Sequence, residues 1–410
     1  MAAKWTFLVY MAGNNSLSDD AGRDLVEMQK VGSTDDVKVL AFAKQRAGQA
    51  RRIQVGKNGQ GEKVESLGDD VDSGNPQTVV DFVRWGLSTA PADRYALVLW
   101  NHGGGWSPDD MDQLYTQVRN DNGVNRHELN HRASQPMARS LFSSTVKQIL
   151  SQPTEAERQI CNDDGTGHSL DTIELGNVLR AVTKDVGRPL DLLGMDACLM
   201  SALEVGYQAQ ASTRVVVGSE EVEPGAGWCY DAILGDLNAR PTMDGRQLGT
   251  TVVDRYVASY RDQPGQWPVT QCALDASQLT KFAGALDGLV GALSPRLSND
   301  WLQVYRAQLK SVGFHSQLRD LRTFCRQLSL SPLSAEAKAA AKNVVDALKP
   351  GGFVINEGHL GAGVDGCGGV TAYFPTPSEP ISPYYRDLRF SKVHRWAPFL
   401  KSYQRAARTG

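Results

Sequence analysis

Two segments of this chain place a reactive side chain just past a stretch that reads as a buried strand. In Tyr95-Ala-Leu-Val-Leu-Trp-Asn-His-Gly-Gly-Gly-Trp106 the apolar run ends at Trp100, and His102 follows in a loop loosened by three glycines. Glycines there let the backbone approach a ligand closely and expose N–H groups. In Leu190-Asp-Leu-Leu-Gly-Met-Asp-Ala-Cys-Leu-Met-Ser-Ala-Leu-Glu204 the run ends near Met195, and Cys198 is expected to open a helix over 199–208. A thiol at a helix N-terminus feels the positive end of the dipole, which favours the thiolate. Such a thiolate and an imidazole can together carry out acyl transfer. Taken singly, a cysteine or histidine is more often a packing residue. Both here are expected at the C-terminal edge of one sheet, where doubly wound folds bind ligands, and that placement favours the chemical reading.

Two other motifs compete. His127-Glu128-Leu129-Asn130-His131 fits the zinc-peptidase pattern His-Glu-x-x-His, with Glu155 and Glu157 downstream as third-ligand candidates. Its neighbours, Asn125-Arg126 before and Arg132-Ala133-Ser134 after, lack the apolar residues that a buried zinc helix needs. The glycine triplet after His102 is not followed by Gly-Lys-Ser/Thr, so a phosphate loop is disfavoured.

The elements that must position these residues alternate through the first 240 positions. Strands are predicted at Trp5–Met11, Val37–Ala43, Tyr95–Trp100, Pro189–Met195 and Arg214–Ser219. Helices are predicted at 20–30, 76–87, 170–183 and 199–208. Apolar runs of five to seven residues followed by helices imply an α/β fold, a mostly parallel sheet covered on both faces. After residue 240 a C-terminal helical subdomain is expected, with helices at 247–260, 277–293 and 334–348, a late strand at 369–374 and a basic tail. From Tyr384 to Gly410 seven Lys/Arg face the single acid Asp387, a pattern that reads first as a solvated helix face. Between Ser107 and Gln159 the alternation breaks, and this polar stretch reads as an insertion.

A chain of 410 residues with 41% hydrophobic and 22% charged residues is an ordinary globular protein, not a collagen-like, coiled-coil or largely disordered one. The net charge of −3 gives no general attraction to nucleic acid, and no apolar run reaches the roughly 20 residues that span a bilayer. The run Thr6–Ala12 is short for a secretory signal and reads as a first core strand, so a cytoplasmic location is expected. The six cysteines are scattered without a Cys-x-x-Cys pair, which points to reduced thiols and to no structural zinc.

The whole pattern resembles the clostripain-like cysteine peptidases, relatives of caspases, gingipains and legumain. The matching pieces are Tyr10-Met-Ala-Gly-Asn-Asn-Ser-Leu17, the Trp100–Trp106 segment, Met195–Met200, Ser219-Glu-Glu-Val-Glu-Pro-Gly-Ala-Gly-Trp228 and Gly369-Val-Thr-Ala-Tyr-Phe-Pro375. The resemblance implies a caspase-like fold, Cys198 as nucleophile, His102 as general base or acid, and an oxyanion site from the N–H groups of Gly103 and Cys198. It also implies cleavage after Arg or Lys, with no organic cofactor required; some relatives depend on calcium. Asp196 could receive the basic side chain before the cut bond, or it could instead cap the expected helix. Glu221 and Glu223 could add charge to that pocket or be surface acids, and Trp228 could stack on the basic side chain's stem. The partners expected are protein or peptide substrates, with self-cleavage in 107–159 or a regulatory partner docking there. Besides the zinc peptidase, the remaining alternative is a catalytically silent binding or regulatory module on the same fold.

Overall fold

The apolar run near the N-terminus becomes an interior strand of a nine-stranded sheet, β1 (Ala3–Gly13), fully buried from Trp5 to Met11. The structure, a computed structural model, describes residues 2–46, 48–106, 170–261, 268–315 and 317–409. Alternate residues of β1 serve two cores: Leu8, Tyr10 and Ala12 pack on one face, and Phe7, Val9 and Met11 on the other. Strands covered on both sides read as continuous apolar runs, and this is why they were visible.

β1 lies in parallel between β2 (Val37–Gln45) and β5 (Ala92–Trp100). β5 is followed by β6 (Leu192–Asp196) and β7 (Val215–Gly218), also parallel. These five are the five predicted strands. Antiparallel strands extend the sheet at both ends: β3 (Ala50–Gln54) and β4 (Lys63–Gly68) beyond β2, and β8 (Val269–Asp275) and β11 (Val354–Leu360) beyond β7. None of these four was predicted. β4 buries no residue, β11 buries only Val354, and β8 carries Thr270 and Gln271 inside, so none presents an apolar run.

Helices Ser18–Val31, Tyr230–Ala239 and Gly245–Tyr260 cover one face; Pro76–Thr89, Thr172–Val186, Leu203–Ala209 and Leu279–Leu293 cover the other. A second sheet joins β9 (Gly313–Phe314), β10 (Leu318–Asp320) and β12 (Thr371–Tyr373). The expected boundary at residue 240 does not separate two cores. β8 and β11 belong to the main sheet, and one hydrophobic cluster runs from Leu8 to Ala406. The tail helix Trp396–Thr409 buries Trp396, Phe399, Leu400 and Tyr403 and turns Lys401, Arg405 and Arg408 outward. The expected insertion 107–159, with His127, Glu128, His131, Glu155 and Glu157, lies outside the described residues.

Candidate active site

Trp100 and Asp196 are register partners at the ends of β5 and β6. His102 and Cys198 each stand two residues farther on, so parallel pairing alone brings both to one sheet edge. They line a common, half-open cleft together with Trp100, Asp196, Glu223 and Gly227. Gly103 is the seam between the two loops. A Cβ there would lie 2.2 Å from the Cys198 carbonyl oxygen and 2.9 Å from the Cys198 nitrogen, so only glycine permits this approach.

The expected helix at Cys198 is absent. Cys198 lies in a turn, and the helix begins only at Leu203. Leu199 takes a positive φ of 65°, rare for a leucine, and its N–H donates to the Glu221 carbonyl at 3.2 Å. Pairing with the 219–223 segment thus replaces the first helical turn, and the dipole argument for a ready thiolate fails. The Cys198 sulfur accepts from the Glu223 N–H at 3.3 Å, and the Gly103 N–H also favours its anion. Burial outweighs both: it pushes the thiol up to about 12, and the Glu223 carboxylate adds to the rise.

His102 is buried, and two contacts from the end of β1 hold its loop. Its Nε2 lies 2.9 Å from Ser16 Oγ. Its backbone N–H donates to Asn101 Oδ1 at 2.5 Å, and that oxygen also accepts from Asn15 Nδ2 at 2.8 Å.

Three buried acids stand behind the thiol. Asp196 Oδ2 accepts from Tyr230 OH at 2.8 Å and from the Trp228 N–H at 3.3 Å. Its helix-cap role is excluded because no helix starts beside it. Burial raises Asp196 to about 6 despite these bonds. Glu223 accepts from Gln271 Nε2 at 3.2 Å; burial, and then the facing Asp196, hold its carboxyl well above the usual range. Asp24 accepts from Trp100 Nε1 at 2.6 Å and is raised to about 9 by burial, with Asp196 second. At neutral pH the three cannot all be charged.

Two expected pocket residues stand beside the cleft rather than in its wall; both are buried, so Glu221 is not a surface acid, and its charge adds to the rise of the Cys198 thiol. The Glu221 carboxylate bonds the Val222 N–H at 2.9 Å, and Glu221 does not line the cleft. Trp228 is fully buried with its ring against Gly194, where a Cβ would come within 2.7 Å of it; its backbone N–H meets Asp196 and its indole favours the charged form of Glu223. Ser16, Asn15, Asn101, Gln271, Tyr230 and Asp24 were not anticipated as site residues. Asn15, Ser16 and Asn101 sit inside the quoted motifs, which was the available signal. The other three reach the site only through tertiary packing. Among the described residues, Glu220, Asp320 and Cys367 lie close enough to hold an ion, outside the cleft. Their carboxylates already accept from the N–H groups of Gly369 at 3.0 Å and Gly368 at 2.8 Å.

The sequence model of the clostripain family matches residues 9–131 and 147–403. The chain belongs to the clostripain family, a family of cysteine peptidases. The stretch without a counterpart in that match is 132–146, shorter than the insertion expected over 107–159. Clostripain from Hathewaya histolytica is 23% identical over 374 residues, covering 80% of this chain. The chain spans 61% of that relative's length. A secreted C11 cysteine protease from Bacteroides thetaiotaomicron, solved with an irreversible peptide inhibitor, superposes with a TM-score of 0.64 at 18% identity, covering 98% of this chain and 99% of that one. An inactive zymogen C11 protease from Parabacteroides distasonis gives 0.64 at 17% identity, with 96% and 98% covered. These likenesses establish the fold. In this clostripain-family chain, the five central parallel strands carry the dyad candidates on their C-terminal edge, as a caspase-like fold requires.

Proposed function

We propose that the chain is a cysteine endopeptidase that cuts after Arg or Lys through His102 and Cys198. One observation carries this reading: a single cleft is lined by a thiol, an imidazole and two carboxylates. His102 takes the thiol proton as Cys198 attacks the scissile carbonyl, the Gly103 and Cys198 N–H groups stabilise the oxyanion, and His102 returns that proton to the leaving amine. Water then hydrolyses the thioester. Apart from that water and the substrate, every group in this scheme is a protein group, and no cofactor is required. A guanidinium or ammonium beside Asp196 and Glu223 would gain a desolvated ion pair. It would also neutralise the charge that helps hold the thiol protonated.

The same reading includes cytoplasmic action on protein or peptide substrates and self-cleavage between 107 and 159. Arg119, Arg126 and Arg132 in that stretch are proposed cut sites, with docking of a regulatory partner as the alternative. Trp106 is held against Tyr373 and Tyr385 at ring separations of 4.1 and 5.2 Å, and Leu170 is fully buried. β5 and β6, on either side of such a cut, are neighbours in the sheet, so the two pieces would stay together. The deciding experiment incubates wild type and Cys198→Ala with fluorogenic peptides ending in Arg, Lys, Asp and Asn, with and without chelator. Chelator-insensitive turnover of the Arg and Lys peptides by wild type alone is expected. Loss on chelation that zinc restores and calcium does not would return the zinc motif to consideration, restoration by calcium would match the calcium dependence of some relatives, and turnover of Asp or Asn peptides would overturn the basic preference.

A further inference from the structure

We propose that Ser16 is a positioning residue for His102, holding the imidazole by Nε2 so that Nδ1 is the nitrogen that exchanges the reaction proton. The inference rests on His102 being the acid–base of the proposed peptidase. Ser16 Oγ lies 2.9 Å from Nε2, and the residues on either side of Ser16 are tied to each other and to the strand end. Asn15 Nδ2 donates to the Ala12 carbonyl at 3.0 Å, and Asn15 Oδ1 accepts the Leu17 N–H at 2.9 Å. Asn15 Nδ2 also bonds Asn101 Oδ1, so one short segment grips both the backbone and the ring of the histidine loop. A histidine has two ring nitrogens, and a partner on one fixes the ring's rotation and the role of the other. In the neutral ring the serine hydroxyl can donate to Nε2 or accept from it. Once His102 takes the thiol proton, both nitrogens carry hydrogen, and Nε2–H must donate to the serine oxygen. That bond is charge-assisted and therefore stronger than the neutral one, so Ser16 favours the imidazolium that catalysis passes through. The hydroxyl carries no charge of its own, and the ring can return its proton to the leaving amine.

The test compares wild type, Ser16→Ala and Ser16→Thr on the preferred peptide across pH. Ser16→Ala should lower kcat roughly tenfold to a hundredfold, because small misplacements of a reacting group have effects of that size. KM should stay within about twofold, and the acid limb of kcat/KM should move to lower pH, since the imidazolium loses a stabilising acceptor. Ser16→Thr, which keeps the hydroxyl, should recover most of the rate and the original limb. An unchanged kcat and acid limb in Ser16→Ala would overturn the proposal, as would equal losses in both variants. If Ser16→Ala does not fold, Ser16→Cys, nearly isosteric with a weaker acceptor, is held to the same expectations. Failure of the peptidase reading is separable. If wild type cuts no peptide, the pH dependence of Cys198 alkylation, read by intact mass, still reports the imidazole. A midpoint that shifts between wild type and Ser16→Ala supports the positioning role, and coincident curves refute it.

Discussion

The two loops at the sheet edge are built by opposite means. The His102 loop is held by short, neutral hydrogen bonds from Asn15, Ser16 and Asn101, side chains in or next to the adjoining strand ends. The Cys198 turn is held by long-range partners in the 219–223 backbone, and the acids Asp196 and Glu223 line the same cleft, with Asp24 feeling the charge of Asp196. The imidazole is therefore controlled by geometry and the thiol by electrostatics. A base must point accurately, whereas a nucleophile must be charged at the right moment. Burial favours the protonated form of the Cys198 thiol.

The severest break removes either half. Cys198→Ala should abolish turnover, and His102→Ala should reduce it by about a thousandfold or more at unchanged melting temperature. Most of the activity surviving in either variant would end the dyad assignment. Next, Gly103→Ala drives a methyl group into the Cys198 backbone, a displacement expected to lower kcat about a hundredfold. Wild-type kinetics there would mean that the seam between the loops is not as close as described.

Asp196→Ala probes the electrostatic half alone. Loss of one buried ion-pair partner costs about 3–5 kcal/mol, so turnover of Arg and Lys peptides should fall a hundredfold or more. A drop in melting temperature with kinetics intact would make Asp196 a structural partner of Tyr230 and Trp228 only. Asp24→Asn should have the smallest effect and should touch stability rather than rate. The native Asp24 carboxyl titrates near 9 against an ordinary 3.8, so the native state keeps its proton while the denatured chain loses it. Any stability it confers is fully present below pH 3.8 and is lost progressively as pH rises through about 9. Thermal melts should then show a larger advantage of Asp24→Asn at pH 8 than at pH 5, and parallel curves would contradict the shift.

Much of this comparison could be read from the chain alone, and unevenly. The five parallel strands were legible because Trp5–Met11, Tyr95–Trp100 and their neighbours are apolar on both faces. Their common register then carried His102 and Cys198 to one edge. The edge strands were hidden because β4 and β11 face solvent. Asp196 was legible as an acid near the thiol and Glu223 as an acid in the motif, but nothing local said that the two would face each other. For the same reason nothing local said that Glu221 and Trp228 would stand beside the cleft wall rather than in it: identity and spacing do not tell which way a side chain turns.

By itself the sequence determined the strand order's parallel centre, the chemistry available at its edge and the family, since burial periodicity and short motifs are properties of neighbouring residues. Only the tertiary structure decided that Cys198 sits in a turn, that Ser16 meets His102, and that Asp24 joins Asp196 and Glu223 behind the thiol. The reason is physical. A backbone amide such as Leu199 N–H takes the partner that packing brings within reach, here Glu221 O, and that choice overrode the local helix signal. Likewise, a carboxyl's charge is set by the water it loses and the charges it meets, and both depend on segments far apart in the chain.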